Sequence, residues 1–269
     1  NPLYQAIGNP DLLPEFRHNL EVMYRNTNRE IFKTYEGRFN ATYTQDKIIN
    51  KTWYENGVQY TQPVNEQGVF ASGGYFMFST PFSRTSKFFI SSTTNLSLNK
   101  GVNYLNSIRN KTTSMSAGEQ IRFIYKGTSM ELNVGANTSH SRAWYSAQSS
   151  SNSATWTNSI IGSINWTLPK GFNLVSDIDY KFYTGFATSI DPTAVWNAEL
   201  AKTILKGTGT LRVKIYDILQ QAKNISRITN DSYIEDSESN ILRQYVMFSF
   251  SIRFGKKKKK KGMFPGGGR

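Results

Sequence analysis

The sequence predicts an all-β fold, an antiparallel transmembrane β-barrel of which about eleven strands are present. Three observations predict it. Nearly every segment alternates polar and apolar residues with period 2, and few repeat with period 3.6. The connections between those segments are short and long in strict turn. No window holds eighteen consecutive apolar residues, which excludes a spanning helix but not tilted strands, whose alternation averages to a polar-looking sequence; mean hydropathy is accordingly -0.49.

In chain order the alternating segments cover residues 16–27, 31–45, 69–80, 86–100, 113–126, 129–144, 154–168, 171–184, 194–206, 208–217 and 241–255. The last is the clearest. Val246, Phe248, Phe250, Ile252 and Phe254 share one face, against Tyr245, Met247, Ser249, Ser251 and Arg253 on the other. The apolar face needs lipid or a packed sheet to cover it, and the polar face cannot enter a dry core without partners. Upstream, Phe172, Leu174, Ile178, Tyr180 and Phe182 oppose Asn173, Asp177, Asp179 and Lys181, and Trp156, Ile160, Ile164, Trp166 and Leu168 oppose Thr157, Ser159, Ser163 and Asn165. Glu119 is an exception, falling on the apolar face of Ala117, Ile121 and Phe123. A soluble sandwich would also bury one face. Many of these segments run 12 to 16 residues, however, long for a soluble sheet and suited to a tilted strand that crosses lipid.

The short connections lie at 26–29, 81–85, 126–128, 169–171 and 206–208, the long ones at 46–68, 101–112, 146–153, 185–193 and 217–240. Outer-membrane barrels have short periplasmic turns and longer external loops. This sets the orientation: residues 1–15 form an external segment entering the barrel, residues 16–255 its strands and loops, and residues 256–269 a disordered basic periplasmic tail. Bacterial single-chain barrels have even strand numbers, so eleven strands do not close alone. Twice eleven is the size of the large plugged transporters, which makes this chain half of a 22-strand barrel with the other half N-terminal. A start at Asn-Pro-Leu-Tyr without Met fits a fragment.

Aromatic content is 14% and cysteine is absent, which excludes disulfides and thiolate metal sites. Trp144 and Trp156 flank an external loop and Trp166 precedes a periplasmic turn, as two interfacial belts would require. Seven of the thirteen net positive charges lie in Lys256–Arg269. The six-lysine run reads as nucleic-acid binding by pattern alone, but no folded DNA-binding element adjoins it; contact with anionic lipid heads or cell-wall polymer, or a solvated tail, fits the orientation better. His18 and His140 stand in no zinc-binding spacing, and no serine sits in a nucleophile elbow. Asp177 and Asp179 share a face without a third ligand, so a solvated lumen pair is favoured over a cation site. The chain therefore has no catalytic, metal or cofactor residues to offer and is not read as an enzyme.

Gly8-Asn-Pro-Asp-Leu-Leu-Pro-Glu15 resembles a segment that opens the later part of TonB-dependent receptor barrels. Val213–Gln221, Ile225-Ser-Arg227 and Asn240–Phe254 resemble the final strands and final external loop of Bacteroidetes-type outer-membrane barrel proteins related to those receptors. The resemblance runs along essentially the whole chain. It implies a 22-strand barrel, an N-terminal plug, and nutrient uptake driven by an inner-membrane energising complex, with a surface lipoprotein as a further partner. This chain would supply barrel wall and external loops. Trp53, Tyr54 and Tyr60 are the candidate ligand-loop residues, suited to a sugar or peptide, and Val246, Phe248, Phe250, Ile252 and Phe254 the lipid-facing assembly strand. The alternative is a barrel that anchors or presents a surface complex without transport.

Overall fold

Alternation at period 2 has one structural consequence: each strand presents two chemically different faces, and neighbours must pair in a register that keeps like with like. A computed structural model describes residues 3–229, 234–239 and 241–254 of the chain and shows that register held throughout. The strands are β1 (Tyr4–Ala6), β2 (Phe16–Asn28), β3 (Lys33–Gln45), β4 (Lys47–Glu55), β5 (Val58–Glu66), β6 (Val69–Pro81), β7 (Phe88–Leu105), β8 (Ile108–Lys126), β9 (Met130–Tyr145), β10 (Ser153–Leu168), β11 (Phe172–Thr184), β12 (Thr193–Ile204), β13 (Gly209–Tyr216), β14 (Asn224–Thr229), β15 (Ile234–Ser239) and β16 (Tyr245–Ile252).

Eleven of them form one sheet in the order β16-β13-β12-β11-β10-β9-β8-β7-β6-β3-β2. Every neighbouring pair is antiparallel. It is an up-and-down meander interrupted only by excursions at one end. The eleven correspond one for one to the alternating segments of the sequence. Three differences stand out. β7 and β8 continue to Leu105 and Ile108, because Asn106 and Ser107 both take positive φ (48° and 68°) and close a two-residue turn where a long loop was expected. The long connections at 46–68 and 217–240 contain hairpins of their own, β4–β5 and β14–β15. And β16 ends at Ile252: Arg253 N still donates to Thr208 O at 2.8 Å, but Phe254, expected in the strand, lies past its end and is 84% exposed. The lysine run and the tail after it lie outside the described residues.

Register carries one apolar row across the sheet. Phe248 faces Val213, Val213 faces Leu200, Leu200 faces Leu174, Leu174 faces Trp166 and Trp166 faces Met130. On the same face Phe123 opposes Val134 and Phe76 opposes Thr94. Burial is inverted relative to a water-soluble protein. Phe248 is 76% exposed and Val134 57%, whereas Ser159, Thr155 and Thr44 on the opposite face are buried. The polar face is the enclosed one, and the apolar face has no protein cover.

On the polar face, Arg38 pairs with Glu21 at 2.7 Å and Arg212 with Glu199 at 2.7 Å. Glu119 does fall on the apolar face, where Ser92 Oγ and Thr94 Oγ1 donate to its carboxylate and Thr138 beside it donates to Asn158. A short polar diagonal thus crosses β7 to β10 within the apolar band.

Phe248→Arg is expected to lower the stability of the membrane-inserted, full-length protein by about 2–4 kcal/mol, as a cation does near the middle of a lipid-facing strand. Ser251→Arg, on the polar face, should cost less than about 1 kcal/mol. Denaturant titration in lipid vesicles reads both, and equal losses would contradict the assignment of faces.

Candidate ligand-facing surface

All the excursions from the meander lie at one end of the sheet, opposite the short turns. There they build a platform of two hairpins. The first is β4–β5. Its tip is Asn56-Gly57, with φ of 48° and 79°, the pair of positive values a two-residue hairpin turn needs and which asparagine and glycine tolerate best. Trp53 and Tyr60 pair across the strands and stack at 5.6 Å between ring centroids. Tyr54 is 63% exposed and bonds Gln59, the neighbour it faces across the hairpin. Because successive residues point to opposite faces, the structure brings two of the three candidate aromatics together and sends the third to the other side.

The segment carrying Gly8–Glu15 clasps this hairpin. β1 pairs with β5 in parallel. Asn9 donates to the Pro63 carbonyl, Asn65 accepts from Leu13 N and donates to Leu13 O, and Glu15 accepts from both Lys47 Nζ and Ile48 N. Those bonds hold the Glu15 carboxyl below its ordinary range, the lysine contributing most. The residues of the Gly-Asn-Pro motif thus have a local structural role: they tie the segment before β2 to the β4–β5 hairpin.

A buried carboxylate ties the hairpin to the wall. Glu66 is 9% exposed; Arg109 on β8 binds it through Nε and Nη2 at 2.6–3.0 Å, and Tyr104 on β7 donates to it at 2.5 Å. A forked guanidinium–carboxylate bond is the strong form of such a pair. Arg109 lowers the Glu66 pKa below the usual 4.5, and Tyr104 adds to the effect. None of these three was singled out in the sequence. The Asn-Gly turn between Tyr54-Glu55 and Val58-Gln59 was the available signal for the hairpin they secure.

The second hairpin, β14–β15, is fixed by Arg227, which forms a two-point bond to Asp236 and lies 4.8 Å over the Phe186 ring. Ala187 N also donates to Asp236, and the arginine holds that carboxyl below its ordinary range. At the hairpin's base the buried Asp217 accepts from Gln221 N and Ala222 N.

Elsewhere the candidate chemistry disperses. Asp177 accepts from Asn197, and Asp179 pairs with Lys181 at 3.1 Å. His18 stacks on Tyr43 and His140 on Trp156, on strands far apart in the sheet. No group of three metal-ligating side chains occurs among the described residues. Several enclosed polar atoms on the inner face have no partner there: Arg122 Nε, Asn133 Oδ1, Asn137 Oδ1 and Asp179 Oδ1. Arg122 passes close to Gly135, where a Cβ would meet its Cγ at 3.0 Å.

A sheet with an uncovered apolar face and a polar, enclosed inner face is what a membrane-spanning wall requires. Comparison with known proteins agrees: a model of the outer membrane protein beta-barrel family matches residues 1–149 and 124–252. The chain belongs to this family. That places it in the outer membrane. No curated protein and no solved structure matches it.

Arg109→Ala should loosen the first hairpin without unfolding the wall, raising amide exchange in Lys47–Glu66 by about tenfold, as expected when a largely buried carboxylate loses its main partner. Acid should act the same way. Because the folded pKa of Glu66 is depressed, its contribution is fully present above the unfolded value and is lost as pH falls through the folded one. Protection of the β4–β5 amides in the unmodified protein, taken relative to the intrinsic exchange rate at each pH, should therefore fall as pH drops below the ordinary carboxylate range. In Arg109→Ala it should depend much less on pH.

Proposed function

We propose that this chain is the C-terminal half of the wall of a plugged, 22-strand outer-membrane transporter of the TonB-dependent type, taking up a nutrient recognised at the hairpin platform. One observation carries the reading: β2 and β16 are both sheet edges with no neighbour among the described residues. In hydrocarbon an unpaired backbone N–H or C=O costs several kcal/mol, so a spanning sheet must close. The two edges run in the same direction, since ten antiparallel pairings separate them, and closing them on each other would need a parallel seam. A second set of strands closes the barrel instead. The enclosed, unpartnered Arg122, Asn133, Asn137 and Asp179 atoms on the inner face suit a polar domain filling the lumen. Trp53 stacked on Tyr60, in a platform rich in amide side chains, suits a sugar or peptide ligand. The alternative, a barrel that only anchors a surface complex, shares the wall but would need neither removable plug nor energising complex.

The native polypeptide, extracted from outer membranes, tests this by intact mass and by conductance in a planar bilayer. A mass several times that of this chain is expected, with conductance that appears only once mild denaturant displaces the plug. A mass equal to that of this chain would end the half-barrel reading, and a steadily open pore would end the plugged one.

A further inference from the structure

The outer face carries a second pattern, read by depth along each strand. A strand rises about 3.3 Å per residue, and tilted by roughly 40° it gains about 2.5 Å of depth per residue, so an apolar band about 25 Å tall spans about ten residues. Counted from the short turns, the band on β7 runs from Phe88 to Leu98 and on β8 from Tyr125 to Met115. Beyond it the outer face turns basic. Lys100 follows Leu98, Lys111 lies four residues beyond Met115, and Arg142 on β9 faces Met115 directly. The three sit on adjacent strands at the external margin of the band, where hydrocarbon gives way to lipid headgroups.

Their surroundings differ from those of Arg38 and Arg212 on the inner face, which are paired with carboxylates. Among the described residues Lys100, Lys111 and Arg142 have no carboxylate within 4.0 Å. Arg142 is instead held 4.7 Å over the Trp144 ring, a residue one turn of the pleat further out on the same face. An open recess of about 500 Å³ is lined by Lys100, Lys111 and Arg109, with Thr113 and the backbone of Gly68 and Gly101. Arg109 is occupied by Glu66, so the two lysines are the free cations of the recess; Arg142 stands outside its lining, on the neighbouring strand opposite Met115.

We propose that this recess binds the phosphate of a lipid headgroup in the external leaflet, with Lys100 and Lys111 on the phosphate oxygens, Arg142 as a third cation and Trp144 at the headgroup level. Charge complementarity and depth together favour a lipid over a soluble anion. A phosphate there sits beside the acyl chains that cover Leu98 and Met115, and basic residues near an anionic membrane surface add to one another's attraction, which together amounts to a preference of at least about tenfold after screening. The site rests on the apolar face meeting lipid and is independent of uptake.

The test uses the full-length protein purified in neutral detergent and analysed by native mass spectrometry with matched-chain phosphatidic acid and phosphatidylcholine. Retention of phosphatidic acid at least about tenfold above phosphatidylcholine is expected, reduced to near parity in Lys100→Gln/Lys111→Gln/Arg142→Gln and kept in Lys170→Gln/Lys206→Gln at the opposite, short-turn end. Equal retention of the two lipids, an unaffected triple variant, or an equal fall in the short-turn variant would overturn the site. Displacement of phosphatidic acid by an equal concentration of inorganic phosphate would overturn the lipid as its source. A protein that stays soluble without detergent would overturn the membrane reading as well, which separates that failure from failure of the site alone.

Discussion

Backbone hydrogen bonding in an apolar solvent is the constraint on which everything else depends. Where water is absent, each N–H and C=O must find its partner within the sheet. The long antiparallel ladders from β2 to β16 meet that requirement at every seam. They also dictate the side-chain pattern: with the backbone satisfied laterally, the two faces are free to differ, and here they differ completely. Phe248, Val134 and Ile160 are exposed because lipid, not protein, is their intended neighbour. Ser159, Thr155 and Asn137 turn inward because only an aqueous or protein-filled lumen tolerates them. Membership of the outer membrane protein beta-barrel family follows naturally from that inversion.

The same constraint relaxes outside the band, and there the chain becomes idiosyncratic. Beyond the hydrocarbon, water competes for backbone groups, and hairpins such as β4–β5 need side-chain anchors to stay docked. Glu66 with Arg109 and Tyr104, and Asp236 with Arg227, supply them. Each is a charge-assisted pair in a partly enclosed place, stronger than a surface ion pair because less water screens it. The platform is therefore specific in shape while leaving Trp53, Tyr54 and Tyr60 on surfaces that a ligand or partner could reach.

The wall was legible in the sequence because period-2 alternation is enforced on both faces at once. Lipid rejects charge at Phe248 and Phe250, and the lumen rejects dryness at Ser249 and Ser251, so the eleven segments announced themselves and Glu119 stood out as the exception it is. The platform was far less legible. In β4–β5 neither face is uniformly buried, so residues 46–68 carry no clean alternation and read as a loop, although Asn56-Gly57 marked the turn. The extension of β7 and β8 past Lys100 was missed for the same reason: Gly101, Asn103 and Asn110 pair in the ladder outside the band, where polarity no longer reports on structure. Pairs such as Glu66 with Arg109, 43 residues apart, have no local signature at all. The aromatic candidates were found by residue type, but only register shows that Tyr54 parts from Trp53 and Tyr60.

The most direct measurement is the accessibility of spin labels placed one at a time on cysteines introduced from Tyr245 to Ile252 in the full-length protein; residues 1–269 contribute no native cysteine to compete for the label. A wall with one face in lipid requires strict alternation: labels at 246, 248, 250 and 252 should collide readily with dissolved oxygen and hardly with a water-soluble nickel chelate, and labels at 247, 249 and 251 should do the reverse. Uniform accessibility along the strand, or alternation with the two sets exchanged, would contradict it.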